Sequence, residues 1–521
     1  MIVEDQSELI AFLGRPETYP GVAGRIERFD THGAVVFLAG DRAYKLKRAV
    51  RFPYMDFSTP ARRAEVCAAE IRINRRTAPD LYLGVAAVER GPAGGLVLGA
   101  VREPEAMAAA GPVVDWLVVM RRFDTDGLFD RMAARGALTP ALMDSLADAI
   151  AAFHGAAEVR SAGGGRAPLA ASAADNLAMM RAAGAGLFAD ADLDRLQSLW
   201  AAALDADGPL LDRRRAEGRV RLCHGDLHLR NICLIDGRPV LFDAIEFDES
   251  LAVIDVWYDV AFLLMDMAHR GLRDLANRVF NRYLARTGDV GGLAALPLFL
   301  SLRAGIRAHV GASAADAQPR AEAAAAQRAE AGAYLDLALD LMTQPPPRLI
   351  AVGGLSGTGK STLAGALAPA VGGVPGAVHL RSDVLRKLLW GVDPLTPLPP
   401  AAYTPEMSRR VYDALLDQAR AALAGGHSVV ADAVWARPDE RAALAAVAAE
   451  AGAAFDGLWL DAPLSRLEAR VTARRADASD ATADVVRRQA GYELGEIDWT
   501  RLDAGGSPDK LRVAARAALG L

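Results

Sequence analysis

Residues 349–362 read Leu-Ile-Ala-Val-Gly-Gly-Leu-Ser-Gly-Thr-Gly-Lys-Ser-Thr, an apolar run that breaks into glycines and ends on a lysine and two hydroxyls. The stretch Gly354 to Ser361 satisfies G-x-x-x-x-G-K-[ST], the pattern of a phosphate-binding loop. Gly354, Gly357 and Gly359 let successive backbone N–H groups converge on phosphates. The helix expected over STLAGALAPAV (361–371) adds the positive potential of its N-terminus. Lys360 is placed to reach β- and γ-phosphates and the Ser361 hydroxyl to ligate Mg2+, with Thr362 beside it. A strand before the loop and a helix after it are the context that separates this motif from a chance glycine cluster.

Working outward, the segment TQPPPR (343–348) marks a boundary, because three successive prolines fit neither a helix nor a central strand. The Ala-, Glu- and Leu-rich stretch from Ala321 to Met342 predicts a helix that closes the preceding domain. The division expected is therefore 1–342, a proline linker at 343–348, and 349–521. Downstream of the loop, AVHLRSDVLRKLLWG (377–391) predicts a strand ending in Ser382-Asp383 and then a helix carrying Arg386. Asp383 is a candidate for accepting the proton of an attacking hydroxyl, with a simple helix N-cap as the alternative. Arg386 is a candidate for holding an anion. A further strand, GHSVVADAVW (426–435), ends on Asp432, a candidate for binding the Mg2+ hydration shell or for orienting substrate. Tyr403 to Gly425 predicts a helix. The run from Asp456 predicts a strand, a helix and an Arg-rich loop in which Arg474 and Arg475 could close over a phosphate, or simply face solvent.

Before the prolines, short β-like runs (GAVVFLAG, DRAYKLKRAV, LYLGVAAVER) give way after residue 138 to a helical pattern. That pattern is interrupted by RLCHGDLHLRNICLI and RPVLFDAIEF. His224-Gly-Asp226-Leu-His-Leu-Arg-Asn231 has the spacing of the kinase catalytic loop H-R-D-L-x-x-x-N. Asp226 is the candidate base and Asn231 a metal ligand. Asp243, twelve residues on and after an apolar strand, stands where the metal-binding aspartate of a D-F-G motif belongs. Lys45 on the strand containing Arg42-Ala43-Tyr44-Lys45 is the candidate for the α/β-phosphates, and Lys47, on the same side, is an alternative. Glu70 is the expected ion-pair partner, with Glu65 second. Cys223, His224, His228 and Cys233 could alternatively hold zinc, although their spacing matches no common zinc module and would leave Asp226 and Asn231 unexplained. No G-x-G-x-x-G loop precedes Lys45; Gly21 and Gly24 are the nearest glycines.

Residues 349–521 resemble the P-loop kinases that include gluconate kinase, shikimate kinase, zeta toxins and polynucleotide 5′-hydroxyl kinases. That resemblance implies that the acid after the second strand is the base and that lid arginines bind ATP. The segment is too short for a ring-forming ATPase. The first ~340 residues resemble aminoglycoside/choline-kinase-like phosphotransferases. YKLKRAVRFPYMDFST (44–59) and CAAEIRINRRTAPDLYL (67–83) are the most family-like stretches outside the catalytic loop. The fusion is similar to bacterial proteins described as bifunctional aminoglycoside phosphotransferase/ATP-binding proteins. The fold class implied is an α+β two-lobe kinase-like domain followed by an α/β P-loop domain with a parallel sheet.

Bulk properties bound the function. The net charge is −6, and residues 349–521 hold 19 Lys/Arg against 20 Asp/Glu. Neither part is basic, which argues against a broad grip on nucleic acid or on an anionic membrane. The N-terminal MIVEDQSELI predicts no secretory leader. VGGLAALPLFLSL (290–302) reads as too short to span a bilayer. Three cysteines, an odd number, predict a reducing, cytoplasmic setting. The expectation is an ATP- and Mg2+-dependent bifunctional kinase acting on hydroxyls of small molecules. The alternative is a regulatory or toxin-like nucleotide switch in which one domain is inactive.

Overall fold

Whether a strand announces itself in sequence depends on how many of its faces are covered, and the central strand of the first sheet is covered on both. A computed structural model describes residues 3–521 except 32, 53–54, 110–111, 185, 317, 319 and 475–476. The chain divides into two compact units, Met1–Gly164 with Arg215–Leu263, and Gly165–Arg214 with Leu264–Leu521.

The first unit holds a six-stranded antiparallel sheet. Its order is Glu27–Asp30, Ala34–Ala39, Arg42–Lys47, Val113–Arg121, Tyr82–Arg90, Leu96–Leu98. Along Val113–Arg121 successive side chains enter different cores. Leu117 and Val119 pack with Val35, Phe37 and Leu46, whereas Trp116, Val118 and Met120 pack with Cys67, Ile71 and Val85. The helix Pro60–Asn74 covers this second face. Its start is set by Pro60 in the first turn and by Thr59, whose side chain accepts from the Arg62 amide. Cys67, Glu70, Ile71 and Asn74 fall on its buried side. A buried carboxylate at Glu70 demands a cationic partner, and the neighbouring lysine strand supplies it.

Two short ladders frame the His224–Asn231 loop. Val220–Leu222 pairs with Val253–Asp255, and Ile232–Ile235 with Arg238–Leu241. The second is a hairpin closed by Asp236-Gly237, both at positive φ (50° and 76°), the Asp-Gly turn that matches strand twist.

The second unit contains a parallel five-stranded sheet in the order Val378–Arg381, Val429–Asp432, Arg348–Gly354, Ala454–Asp461, Thr500–Asp503. Ile350, Val352, Val430, Leu458 and Leu460 pack against Leu363 and Leu367 of the helix Lys360–Leu367. The same unit includes helices that precede the prolines: Arg166–Ala183, Asp190–Ala216, Arg273–Thr287, Leu296–Asp316 and Ala321–Leu341.

Two expectations need correction. The strand before Asp383 ends at Arg381, so Ser382 and Asp383 are the first two residues of the helix Ser382–Leu389 and the N-cap is Arg381. The apolar run at 290–302 belongs to a longer helical stretch, Val290–Asp316. Among the described residues this is one helix long and apolar enough to cross a membrane, and 72% of its apolar window is buried within the protein. It packs on Ala321–Leu341.

Candidate functional site

In the first unit, Lys45 lies at the middle of an ion-pair network. Its Nζ is 2.9 Å from Glu70 Oε1 and 2.5 Å from Asp243 Oδ1. Burial works to discharge Lys45, but Asp243, Glu70 and Glu246 outweigh it and hold its pKa well above the ordinary value. Burial likewise works to raise Asp243, yet the Lys45 charge and hydrogen bond, with Lys47 behind them, keep its carboxyl below the usual range. Lys47 pairs instead with Glu70 and Glu246, at positions exposed 2%, 0% and 8%. Lys45 therefore meets the catalytic-loop side through Asp243, while Lys47 belongs to the packing beneath. Glu70, not Glu65, is the partner of both.

The catalytic-loop residues converge as their spacing predicted. Asn231 Nδ2 donates to Asp226 Oδ2 (2.9 Å) and Asp226 O (3.0 Å), with Asp243 O 3.5 Å away. These bonds all use the Asn231 amide nitrogen, so its amide oxygen can join the Asp243 carboxylate as a hard oxygen donor beside Asp226, the chemistry that suits Mg2+. Asp243 sits at φ +59°, a left-handed conformation unusual for a residue with a Cβ and common where a side chain must be aimed. Its amide donates to the Tyr82 hydroxyl (3.1 Å), and the next amide, Ala244, donates to Asn74 Oδ1 (2.8 Å). Gly225 takes φ +84°, and an added Cβ would lie 3.0 Å from Ile245 Cδ1 and 3.2 Å from the Leu251 carbonyl oxygen. Gly21 and Gly24 lie before the first strand rather than in the hairpin that leads toward Lys45.

Four of these supporting residues (Asn74, Glu246, His154 and Asp259) were not anticipated from sequence. Asp259, fully buried, accepts from the amides of His224 (3.1 Å) and Gly225 (2.8 Å) and lies 3.0 Å from His154 Nε2. The signal was present as one carboxylate inside the apolar run VWYDVAFLLM. The four-residue zinc set does not assemble: Cys233 Sγ faces Val240 O, and His224 Nε2 faces Phe242 O. Among the described residues, His154, Cys223 and Asp259, all buried, are the one set of three or more His, Cys, Asp or Glu side chains whose ligand atoms lie within 4.8 Å of one another.

In the second unit an open cleft of about 1910 Å³ is lined by the glycine loop, Asp383, Arg386, Asp432 and Arg474. The glycines are required by geometry. Gly354 and Gly357 have φ +134° and +87°, and a Cβ would meet Leu460 O at 2.6 Å and Leu467 O at 2.8 Å respectively. The first amides of the helix Lys360–Leu367 have no intrahelical acceptor. Lys360 Nζ donates to Leu355 O (3.0 Å). Burial lowers its pKa against the pull of Asp432 and Asp383. Ser361 Oγ donates to Asp432 Oδ1 (3.0 Å), so a hydroxyl and a carboxylate adjoin as hard oxygen donors, again fitting Mg2+.

The two aspartates are tuned in opposite directions. Burial pushes Asp383 up, against a Ser479 hydrogen bond and the Lys360 charge. Burial also opposes ionisation of Asp432, but His379, Arg381 and Lys360 hold it below the ordinary value. Two carboxyls of one site are thus pushed apart in pKa, the pattern found where acid–base roles differ. Arg386 is buried, donates to Ala402 O (2.7 Å) and stacks 5.0 Å from the Tyr403 ring centroid. Arg474 lines the cleft; Arg475 lies outside the described residues. His379, whose Nε2 is 2.6 Å from Asp432 Oδ2, and Gln489, whose Oε1 accepts from the Ser356 amide (2.8 Å), were not foreseen.

Residues 54–297 match a family model described as "Phosphotransferase enzyme family", and residues 349–493 one described as "AAA domain". An uncharacterized protein of Mycobacterium tuberculosis is 32% identical over 492 residues, covering 92% of this chain and 93% of its own. Similar solved structures include a gluconokinase from Sinorhizobium meliloti, 23% identical, over 33% of this chain and 92% of that one (TM-score 0.25). Another is a choline/ethanolamine kinase family protein from Mesorhizobium loti, 15% identical, over 65% and 98% (TM-score 0.37). Fold and motifs together define a kinase-type phosphotransferase. The chain belongs to the family of the mycobacterial protein, and in this chain a phosphotransferase segment is followed by a P-loop kinase-like segment.

Proposed function

We propose that the protein is a bifunctional ATP-dependent kinase, each site moving a γ-phosphoryl group to a hydroxyl of a small molecule such as a sugar, polyol or aminoglycoside-like compound. One observation carries this reading. Each site holds, beside a lysine and a set of oxygen donors, a further carboxylate: Asp226 in one and Asp383 in the other. In the first, Lys45 would hold phosphate oxygens while Glu70 fixes its Nζ. Asn231 and Asp243 would hold Mg2+, and Asp226, its side chain 37% exposed, would take the hydroxyl proton. In the second, the loop amides and Lys360 would cradle the phosphates. Ser361 and Asp432 would hold Mg2+, Asp383 would accept the proton, and Arg386 and Arg474 would meet anionic oxygens. Bound Mg2+ would neutralise charge building on the phosphate oxygens. The proton budget is simple: the acceptor O–H bond breaks toward the aspartate as the new P–O bond forms and ADP leaves.

The charge balance favours small acceptors over nucleic acid. The test is an untargeted metabolite screen for ATP-dependent gain of one phosphate, run on wild type and on Asp226→Ala and Lys360→Ala full-length chains. The reading expects two classes of product, each lost in one variant. No product from wild type, or both lost together, would contradict it. The sparse glycines before Lys45 favour a second reading, a nucleotide switch in which the first site binds ATP without turnover. Binding without any Asp226-dependent product would select it.

A further inference from the structure

Among the described residues the strand Val378–Arg381 is the edge of the parallel sheet, so its outward N–H and C=O groups have no pairing strand there. They are met by a helix from the phosphotransferase segment, Arg273–Thr287, in the same compact unit. Asn281 Oδ1 accepts from the His379 amide (2.7 Å), and its Nδ2 donates to Ala377 O (3.1 Å). Residues 377 and 379 point to one side of the strand, so a single amide side chain substitutes for a pairing strand. One turn earlier Asn277 Nδ2 also donates to Ala377 O (3.0 Å), and a turn before that Arg273 donates to Gly372 O (2.6 Å). Positions 273, 277 and 281 form one helical stripe.

The residue clasped in this way has a second contact. The His379 side chain is 11% exposed, and its Nε2 lies 2.6 Å from Asp432 Oδ2. The other carboxylate oxygen of Asp432 accepts from Ser361. With Asp432 ionised, the imidazole is the donor, which fixes the carboxylate plane.

We propose that His379 is a positioning residue for the Mg2+ ligands of the P-loop site, and that Asn281, lent by the phosphotransferase segment, holds His379 in register. The first kinase segment thus supplies part of the scaffold of the second kinase's metal site. This rests on Ser361 and Asp432 being the ligands proposed above. Positioning partners of metal ligands typically change metal affinity by about 10–100-fold when removed.

The experiment measures binding, not turnover. Full-length chain carrying Lys45→Met, to silence the first site, is titrated with a fluorescent non-hydrolysable ATP analogue across a Mg2+ series. His379→Phe keeps bulk and loses the donor, and should raise half-saturating Mg2+ about 10-fold or more. His379→Gln, which restores an N–H near the Nε2 position, should recover most of that. Asn281→Leu should shift it in the same direction by less. Thermal melting of each variant reports folding separately, and the Gln rescue is a readout that general destabilisation does not produce. Mg2+-dependent wild-type binding with unmoved midpoints in His379→Phe and Asn281→Leu overturns this inference alone. So does a Gln variant no better than Phe. Absence of Lys360-dependent, Mg2+-dependent binding in the parent overturns the functional reading and this inference with it.

Discussion

Replacing Asp259 with alanine should disable the first site without touching any residue proposed to bind nucleotide. The carboxylate is fully buried and accepts from two consecutive backbone amides, His224 and Gly225, with His154 Nε2 at 3.0 Å. Alanine leaves three buried polar groups without this acceptor. At about 1–3 kcal/mol for each unsatisfied group, with partial recovery by water, the loss is about 3–5 kcal/mol. For a unit of this size that corresponds to a melting transition lower by about 6–20 °C. His224 stands two residues from Asp226, so slack in the loop displaces the proposed base. A misplacement of about 1 Å costs about 100-fold in rate. The assay is phosphate release from ATP by full-length chain in a Lys360→Ala background, alongside calorimetric melting. Asp259→Asn, which keeps one acceptor oxygen, should fall between. An Asp259→Ala protein that melts within about 2 °C of its parent and retains its turnover would refute the reasoning.

The two lysines should separate by phenotype: Lys45→Met should lose about 100-fold or more of first-site turnover with the fold intact. Lys47→Met, which leaves buried Glu246 unpaired, should lower the melting temperature first; equal melting behaviour of the two would contradict the assignment. In the P-loop, Gly357→Ala places a Cβ 2.8 Å from a backbone oxygen and should abolish nucleotide binding. Gly359→Ala meets open space and bears only the penalty of φ +92°, about 1–2 kcal/mol. Calorimetric titration distinguishes them, and equal losses would show that crowding is not the reason for glycine at 357. The pH profile of the second site follows from Asp383, whose pKa burial raises. Below that pKa the carboxyl is protonated and cannot take a proton, so turnover should climb as pH rises through a value above that of an ordinary aspartate. Ser479→Ala removes a hydrogen bond that favours the ionised form and should move this acid limb to higher pH; an unmoved limb would remove Asp383 from the role of base.

Much of the site was legible because its chemistry is local in sequence. The loop Gly354–Ser361 and the Asp226–Asn231 pair each lie within a few residues, so spacing alone brings them together. Lys45, Glu70 and Asp243 are far apart in the chain but were found because each occupies a motif position; their meeting at one point is a result of the fold. What escaped was of two kinds. Val113–Arg121 is buried on both faces and shows no polar alternation, so periodicity could not tell it from a buried helix turn. Asp259, Asn74 and His379 act on backbone or on other side chains across long sequence distances, and no short-range pattern encodes that. Ser382-Asp383 was placed one element early because the helix begins at Ser382 without a capping side chain.

Counting bound nucleotides tests the central claim most directly. Titration of the full-length chain with a non-hydrolysable ATP analogue and Mg2+ should saturate at two molecules per chain. Lys360→Ala and Lys45→Met should each leave one, and the double variant none. Saturation at a single molecule, or a single substitution that removes both, would contradict the presence of two independent nucleotide sites.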